Sequence, residues 1–93
     1  MSGGHYDYDQ YKILNIKESI ESAILHDNEE NAEYKYNFSE KTIEEFKTAI
    51  KILDKAFIYA QRIDWLLSGD DGENTFHERL KEELARMEKH YVV

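Results

Sequence analysis

The chain has no cysteine and no proline, and only four glycines and one tryptophan among its 93 residues. Without cysteine there is neither a disulfide staple nor a thiolate zinc site, and the absence of proline fits a chain that is mostly helix with few rigid turns. No apolar run approaches the roughly 18 residues that a membrane span needs. The opening "MSGGHYDYDQY" lacks the basic-then-apolar order of a signal peptide, and Ser2 stands where myristoylation requires glycine, so a cytosolic setting without membrane attachment is expected. Positive charge is scarce as well. Twelve Lys and Arg face twenty Asp and Glu, a formal charge of −8. That balance repels phosphate backbones and disfavours general nucleic-acid binding, yet it suits a chain that imitates nucleic acid.

Catalytic patterns are missing too. His5, His26, His77 and His90 are scattered, and "HERLK" lacks the second histidine of a zinc-protease helix. No glycine-rich phosphate loop or nucleophile elbow occurs. The "SGGH" opening does not make a terminal copper site, because after loss of Met1 the histidine is fourth instead of third. The expectation is a protein that is not an enzyme and takes no cofactor; a metal-dependent activity through the surplus carboxylates is the weaker alternative.

What is present is helical periodicity. Ninety-three residues make one domain, in which a chain this short buries only about 60 to 65% of its unfolded surface, so oligomerisation is expected to help. Residues 1–8 read as an arm, with Gly3 and Gly4 giving backbone freedom and Tyr6, Tyr8 and Tyr11 set among acids. The pattern leaves open whether that arm docks. From about Asp9 to Leu25, Ile13, Ile16, Ile20, Ala23 and Ile24 recur at three and four, which predicts the first helix. A polar connecting loop over 26–38 follows, with a short extended piece suggested at "EYKYN".

Ser39 then caps a second helix, with Phe38 and Ile43 placed to form a hydrophobic staple. Ile43, Phe46, Ile50, Leu53, Phe57, Ala60 and Leu67 form one seam along it, and Ala49, Ile52, Ala56, Tyr59, Ile63 and Leu66 a second. Two seams predict two partners. The helix should reach Leu67, roughly 28 residues and about 42 Å, with Gly69 in the left-handed stop position. The loop 68–74 is acidic and contains glycine, and the third helix is expected near Thr75, where Thr75 and Glu78 form a capping box. Its stripe is Phe76, Leu80, Leu84, Met87 and Tyr91, with Glu82 and Arg86 as a supporting pair. The fold class is therefore all-α, a three-helix arrangement with a long central helix, completed by a second copy that covers Ile58 and Trp65.

Within that frame the stretch "QRIDWLLSGDDGENTF" concentrates the candidate chemistry. Continuing the first seam by its own spacing places Asp64 inward, where a carboxylate must find a partner: Arg62 of a neighbouring subunit, a capped helix end, or a tyrosine hydroxyl from the arm. The acidic loop, with Asp70, Asp71 and Glu73, is no EF-hand, since placing Gly72 sixth puts Leu67 and Gly69 where the first ligands belong. It reads as a helix connection, or as a recognition loop. Lys47, Lys51, Lys55 and Arg62 form a basic ridge that either meets phosphate beside Tyr59 and Trp65 or pairs with Glu44, Asp54, Glu18 and Glu21.

The segments "MSGGHYDYDQY", "FSEKTIEEFKTAI" and "YAQRIDWLLSGDDGENTFHERL" together resemble a widespread family of small uncharacterised proteins encoded by bacteriophages and prophages, often opening Met-Ser-Gly-Gly-His followed by an aromatic. The resemblance spans nearly the whole chain and implies a phage setting, in the cytoplasm of the infected bacterial host; it supplies no residue roles. In that setting the first expectation is a non-enzymatic anti-defence sponge, a homo-oligomer that sequesters a cyclic nucleotide or related anionic immune signal between subunits. His5, Tyr6 and Tyr8 of the arm, with Lys55, Tyr59, Arg62, Asp64 and Trp65, are the candidate ligand residues. The alternative is an acidic inhibitor that blocks a host defence protein or its nucleic-acid-binding cleft, which the charge of −8 favours. A virion assembly role is the weakest, because no coat or tail repeat is visible.

Overall fold

The computed structural model describes residues 5–28 and 38–91, and it is helical throughout, with three helices in the order α1 (Tyr11–Asn28), α2 (Glu40–Leu67) and α3 (Glu73–Tyr91). No strand occurs among the described residues.

The local signals decide where α2 begins and ends. Ser39 sits in extended conformation and its hydroxyl accepts the Thr42 N–H at 3.3 Å, so it caps the helix as its sequence position predicts. Phe38 packs edge-on against Phe46, with ring centroids 5.2 Å apart, which anchors the entering chain one turn beyond Ile43. At the other end Gly69 adopts φ +84°. There the Asp70 N–H donates to the Trp65 carbonyl at 2.9 Å and the Gly69 N–H to that of Leu66 at 3.2 Å. These are the paired bonds of a Schellman stop. The 28-residue length matches the expected reach to Leu67.

The other two helices are displaced from their expected bounds. α1 starts at Tyr11 instead of Asp9 because a tight turn precedes it: Asp7 and Tyr8 take φ of 52° and 67°, and the Asp9 N–H closes onto the Tyr6 carbonyl at 3.0 Å. α1 also continues to Asn28, so residues 26–28, expected in the connecting loop, belong to the helix, and "EYKYN" lies outside the described residues. α3 starts at Glu73, not near Thr75. The Gly72 carbonyl accepts the Phe76 N–H at 2.9 Å, which makes Gly72 the cap, and Glu73 places a carboxylate in the first turn where the helix dipole favours it. Thr75 therefore lies inside the helix, no Thr75–Glu78 capping box forms, and Glu73 belongs to α3 instead of to the loop.

Packing departs more from expectation. α1 and α3 both pack on α2, and among the described residues their backbones do not pack directly against each other. The result is a flat body of 49 × 31 × 17 Å with a radius of gyration of 16.4 Å, against about 12 Å for a compact domain of this length. Among the described residues only Ile50 and Met87 are buried apolar side chains, and neither is completely enclosed. The two seams of α2 do not each receive a short helix. α1 reaches residues Asp54, Phe57 and Gln61, with Gln10 of the turn before it reaching Asp64, while α3 reaches Lys51, Asp54 and Arg62. Both helices therefore sit to the same side. Ile52, in the second seam, is left 60% exposed and Tyr59 39%. Trp65 is not the open surface either, because the Arg62 guanidinium lies 4.1 Å over its ring.

Gly69→Ala forces a Cβ into the left-handed region, where nothing within 4 Å obstructs it, so the cost is purely conformational. The expected loss is about 1 kcal/mol, read in thermal unfolding as a midpoint lowered by roughly 4 to 8 °C.

Candidate functional site

The candidate residues gather around the C-terminal third of α2, and Asp64 is the most enclosed of them at 2% exposure. Its Oδ1 accepts the backbone N–H of Tyr6 at 2.8 Å, and its Oδ2 lies 3.4 Å from Gln10 Nε2. One turn on, Ser68 Oγ accepts the His5 N–H at 2.8 Å. The arm thus docks from His5 onward, held by two main-chain amides. Asp64 faces inward as the seam spacing predicts, but neither Arg62 nor a tyrosine hydroxyl is its partner. A free amide at the start of a turn is a strong donor that needs no side chain, so it reaches where a phenol does not.

Gln10 completes this junction and was not singled out by its sequence. Its Nε2 donates to Gln61 Oε1 at 2.6 Å, and Gln61 Nε2 donates to the Tyr11 hydroxyl at 3.3 Å. Tyr11 in turn packs against Phe57, with centroids 5.3 Å apart. A signal existed: the α1 stripe run back three residues from Ile13 lands on Gln10, a polar residue on an apolar face. Gln10 is 4% exposed and its Oε1 has no hydrogen-bond partner.

Arg62 lies on the opposite flank. It is 7% exposed, with Nη1 3.3 Å from Asp71 Oδ2 and Nε 2.7 Å from Glu83 Oε1. The second contact is close, but the Nε–H does not aim along it, so it is an ion pair without an aligned hydrogen bond. Guanidinium, two carboxylates and the Trp65 face make a closed set, which ties α2 to the acidic loop and to α3. A cleft of about 170 Å³ opens beside it, lined by Arg62, Arg79, Glu82, Glu83 and Arg86. Glu82 and Arg86 share that cleft without forming the expected ion pair.

The remaining candidates are dispersed. Tyr8 is 59% exposed and leans toward Tyr11 at 6.2 Å. Lys55 and Tyr59 are exposed on the outward side of α2, Asp70 is exposed in the loop, and Glu73 is exposed in the first turn of α3. The chain therefore holds His5, Tyr6 and Asp64 together, Arg62, Trp65 and Asp71 together, and Lys55 and Tyr59 together, in three separate groups. The lysine ridge is likewise divided: Lys51 pairs with Glu88 of α3 at 3.5 Å, not with the acids of α1.

A second junction joins all three helices. Asp54 Oδ1 lies 3.5 Å from Lys17 Nζ of α1, and its Oδ2 accepts the Tyr91 hydroxyl of α3 at 2.9 Å. Burial, the hydrogen bond to Asp54 and the nearby charges of Asp54 and Glu21 push the Tyr91 pKa up to about 12. Lys17 interrupts the α1 stripe between Ile13 and Ile20, which is the trace this junction leaves in the sequence.

No protein-family model, no curated protein and no solved structure matches this chain. No group of three or more His, Cys, Asp or Glu that could hold a metal ion occurs among the described residues, and no helix there is long and apolar enough to cross a membrane.

Asp64→Ala strands the Tyr6 amide and frees Gln10, and the expected destabilisation is about 2 to 3 kcal/mol in urea unfolding. Faster hydrogen exchange at the Tyr6 amide should accompany it. Tyr91 carries a pH dependence of definite sign. Its folded pKa is raised, so its contribution is complete below pH 10 and is lost as pH climbs from about 10 to about 12. Asp54→Asn should move the tyrosinate absorbance transition of Tyr91 downward and narrow that window.

Proposed function

We propose that the protein is a non-enzymatic binding protein of phage origin that acts in the cytoplasm of an infected bacterium, self-associates, and blocks a host defence protein through its acidic surface. The observation that carries this reading is the disposition of its cations. Lys12, Lys17, Lys51 and Arg62 are each held within 4.0 Å of a carboxylate of the same chain, and Arg62, the only one of these four with a phosphate-matching guanidinium fork, is 7% exposed and faces Asp71 and Glu83. Lys41, Lys47, Lys55, Arg79, Lys81, Arg86 and Lys89 are exposed without a carboxylate partner among the described residues, but the twenty acids still outnumber the twelve Lys and Arg, so the surface is negative on balance with cations interspersed. Such a field favours a basic cleft on a partner and speeds encounter with it. The resemblance of "MSGGHYDYDQY" and "QRIDWLLSGDDGE" to small phage-encoded chains supports the setting.

A second reading has its own observation. Lys55 has no carboxylate partner among the described residues, and it stands one turn from exposed Tyr59. An unpaired cation beside an aromatic face suits a cyclic nucleotide or a related anionic signal, held where two chains meet, which is the sponge mode.

One pair of assays separates the two. The inhibitor reading expects the protein to displace a labelled oligonucleotide from cationic host defence proteins, with potency falling steeply as salt rises from low to physiological. The sponge reading expects native mass spectrometry to register stoichiometric uptake of a cyclic nucleotide or a cyclic ADP-ribose isomer, released unchanged on denaturation. Uptake without displacement would transfer the assignment to the sponge, and a null result in both assays would sink the two readings together.

A further inference from the structure

The outward side of α2 carries an apolar seam on which Ile52 and Tyr59 are exposed. Among the described residues, the polar and ring contacts that α2 receives from α1, from the turn before it and from α3 fall on residues 51, 54, 57, 61, 62 and 64. At about 100° per residue, Ile52 lies about 160° round the helix from Asp54. The seam of Ala49, Ile52, Ala56, Tyr59, Ile63 and Leu66 follows that outward side. Its steps are three, four, three, four and three, the heptad spacing of a helix that packs along another helix. Leu67, 53% exposed, borders it.

Surface area points the same way. The chain exposes 7043 Å², whereas a compact monomer of 11.1 kDa exposes about 5,650 Å². The excess of roughly 1,400 Å² exceeds the about 800 Å² that each partner contributes to a standard interface.

We propose that a second copy of the chain covers this seam, with the two α2 helices antiparallel about a two-fold axis that passes between Ala56 and Tyr59. The order of side-chain volumes selects that direction. Run antiparallel, the seam sets Ala49 against Leu66, Ile52 against Ile63, and Ala56 against Tyr59 of the other copy. Each layer matches a small residue with a large one, or two of equal size, so the helices approach evenly. Run parallel, each residue meets itself. Two Ala layers then leave voids while the Tyr59 layer holds the helices apart. The antiparallel arrangement does bring the two Lys55 side chains to one flank, about 7 to 8 Å apart along the axis. Both are solvated there, and screening keeps their repulsion small beside the apolar burial. The pairing rests on the self-association assigned above and names the face and direction it takes.

The test uses the full chain. Sedimentation equilibrium of the wild type should give a dimer, and Ile52→Asp or Ile63→Asp should raise the dissociation constant about a hundredfold or more while circular dichroism retains the wild-type helicity. Because the chain has no native cysteine, direction is read by cross-linking. Ile52→Cys mixed with Ile63→Cys should yield the mixed disulfide, whereas Ile52→Cys alone should not link to itself, its two sulfurs being offset by about 16 Å along the helices. A 52-to-52 disulfide would overturn the antiparallel direction, and a dimer indifferent to Ile52→Asp would overturn the face. A monomer at all concentrations would overturn the pairing and the self-association together, and leave the oligonucleotide-displacement assay to judge the inhibitor on its own.

Discussion

Asp54 is the point on which the architecture turns. One carboxylate takes Lys17 from α1 and the Tyr91 hydroxyl from α3, so both short helices are drawn to the same side of the long one. The group is four-fifths shielded, with Lys17 similarly covered. At that depth a charge keeps its partners, because losing either leaves a desolvated ion without compensation. From this follow the thin body, the lack of direct packing between the backbones of α1 and α3, and the outward seam of α2. A core of only Ile50 and Met87 among the described residues is the direct consequence of placing two helices beside a third instead of around it.

The C-terminal part of α2 shows the same economy of charge. Asp64 and Arg62, two residues apart in sequence, lie about 160° apart round the helix. They are fastened to different elements, Asp64 to the main chain of the arm and Arg62 to the acidic loop and α3. Polar groups at these positions specify where the arm and the loop attach more than they add to stability. The two left-handed residues Asp7 and Tyr8 are tolerated because the turn they form presents the Tyr6 amide to Asp64.

Much of the helical framework was legible in the residues. Ser39 and Gly69 announced the ends of α2, and the spacing of its apolar residues gave its length. The start of α3 was misjudged because Thr75 and Glu78 imitate a capping box, while Gly72, two positions before Asn74, supplies the actual first carbonyl. The inward position of Asp64 was legible from seam spacing, but its partner was not, since a backbone amide has no letter in the sequence. Gln10 and Lys17 were written on the α1 stripe as polar interruptions, a signal that carries meaning only when the facing residue is known.

Helix limits, caps and the stop at Gly69 depend on groups within a turn or two of one another, so the order of residues specifies them directly. The side of α2 that each neighbour occupies, the sharing of Asp54, and the capture of the Tyr6 amide 58 residues away in sequence by Asp64 depend on groups that meet only after the chain has folded. Local propensity cannot rank such encounters. They are settled by which buried polar groups find partners, and that is a property of the packed helices together.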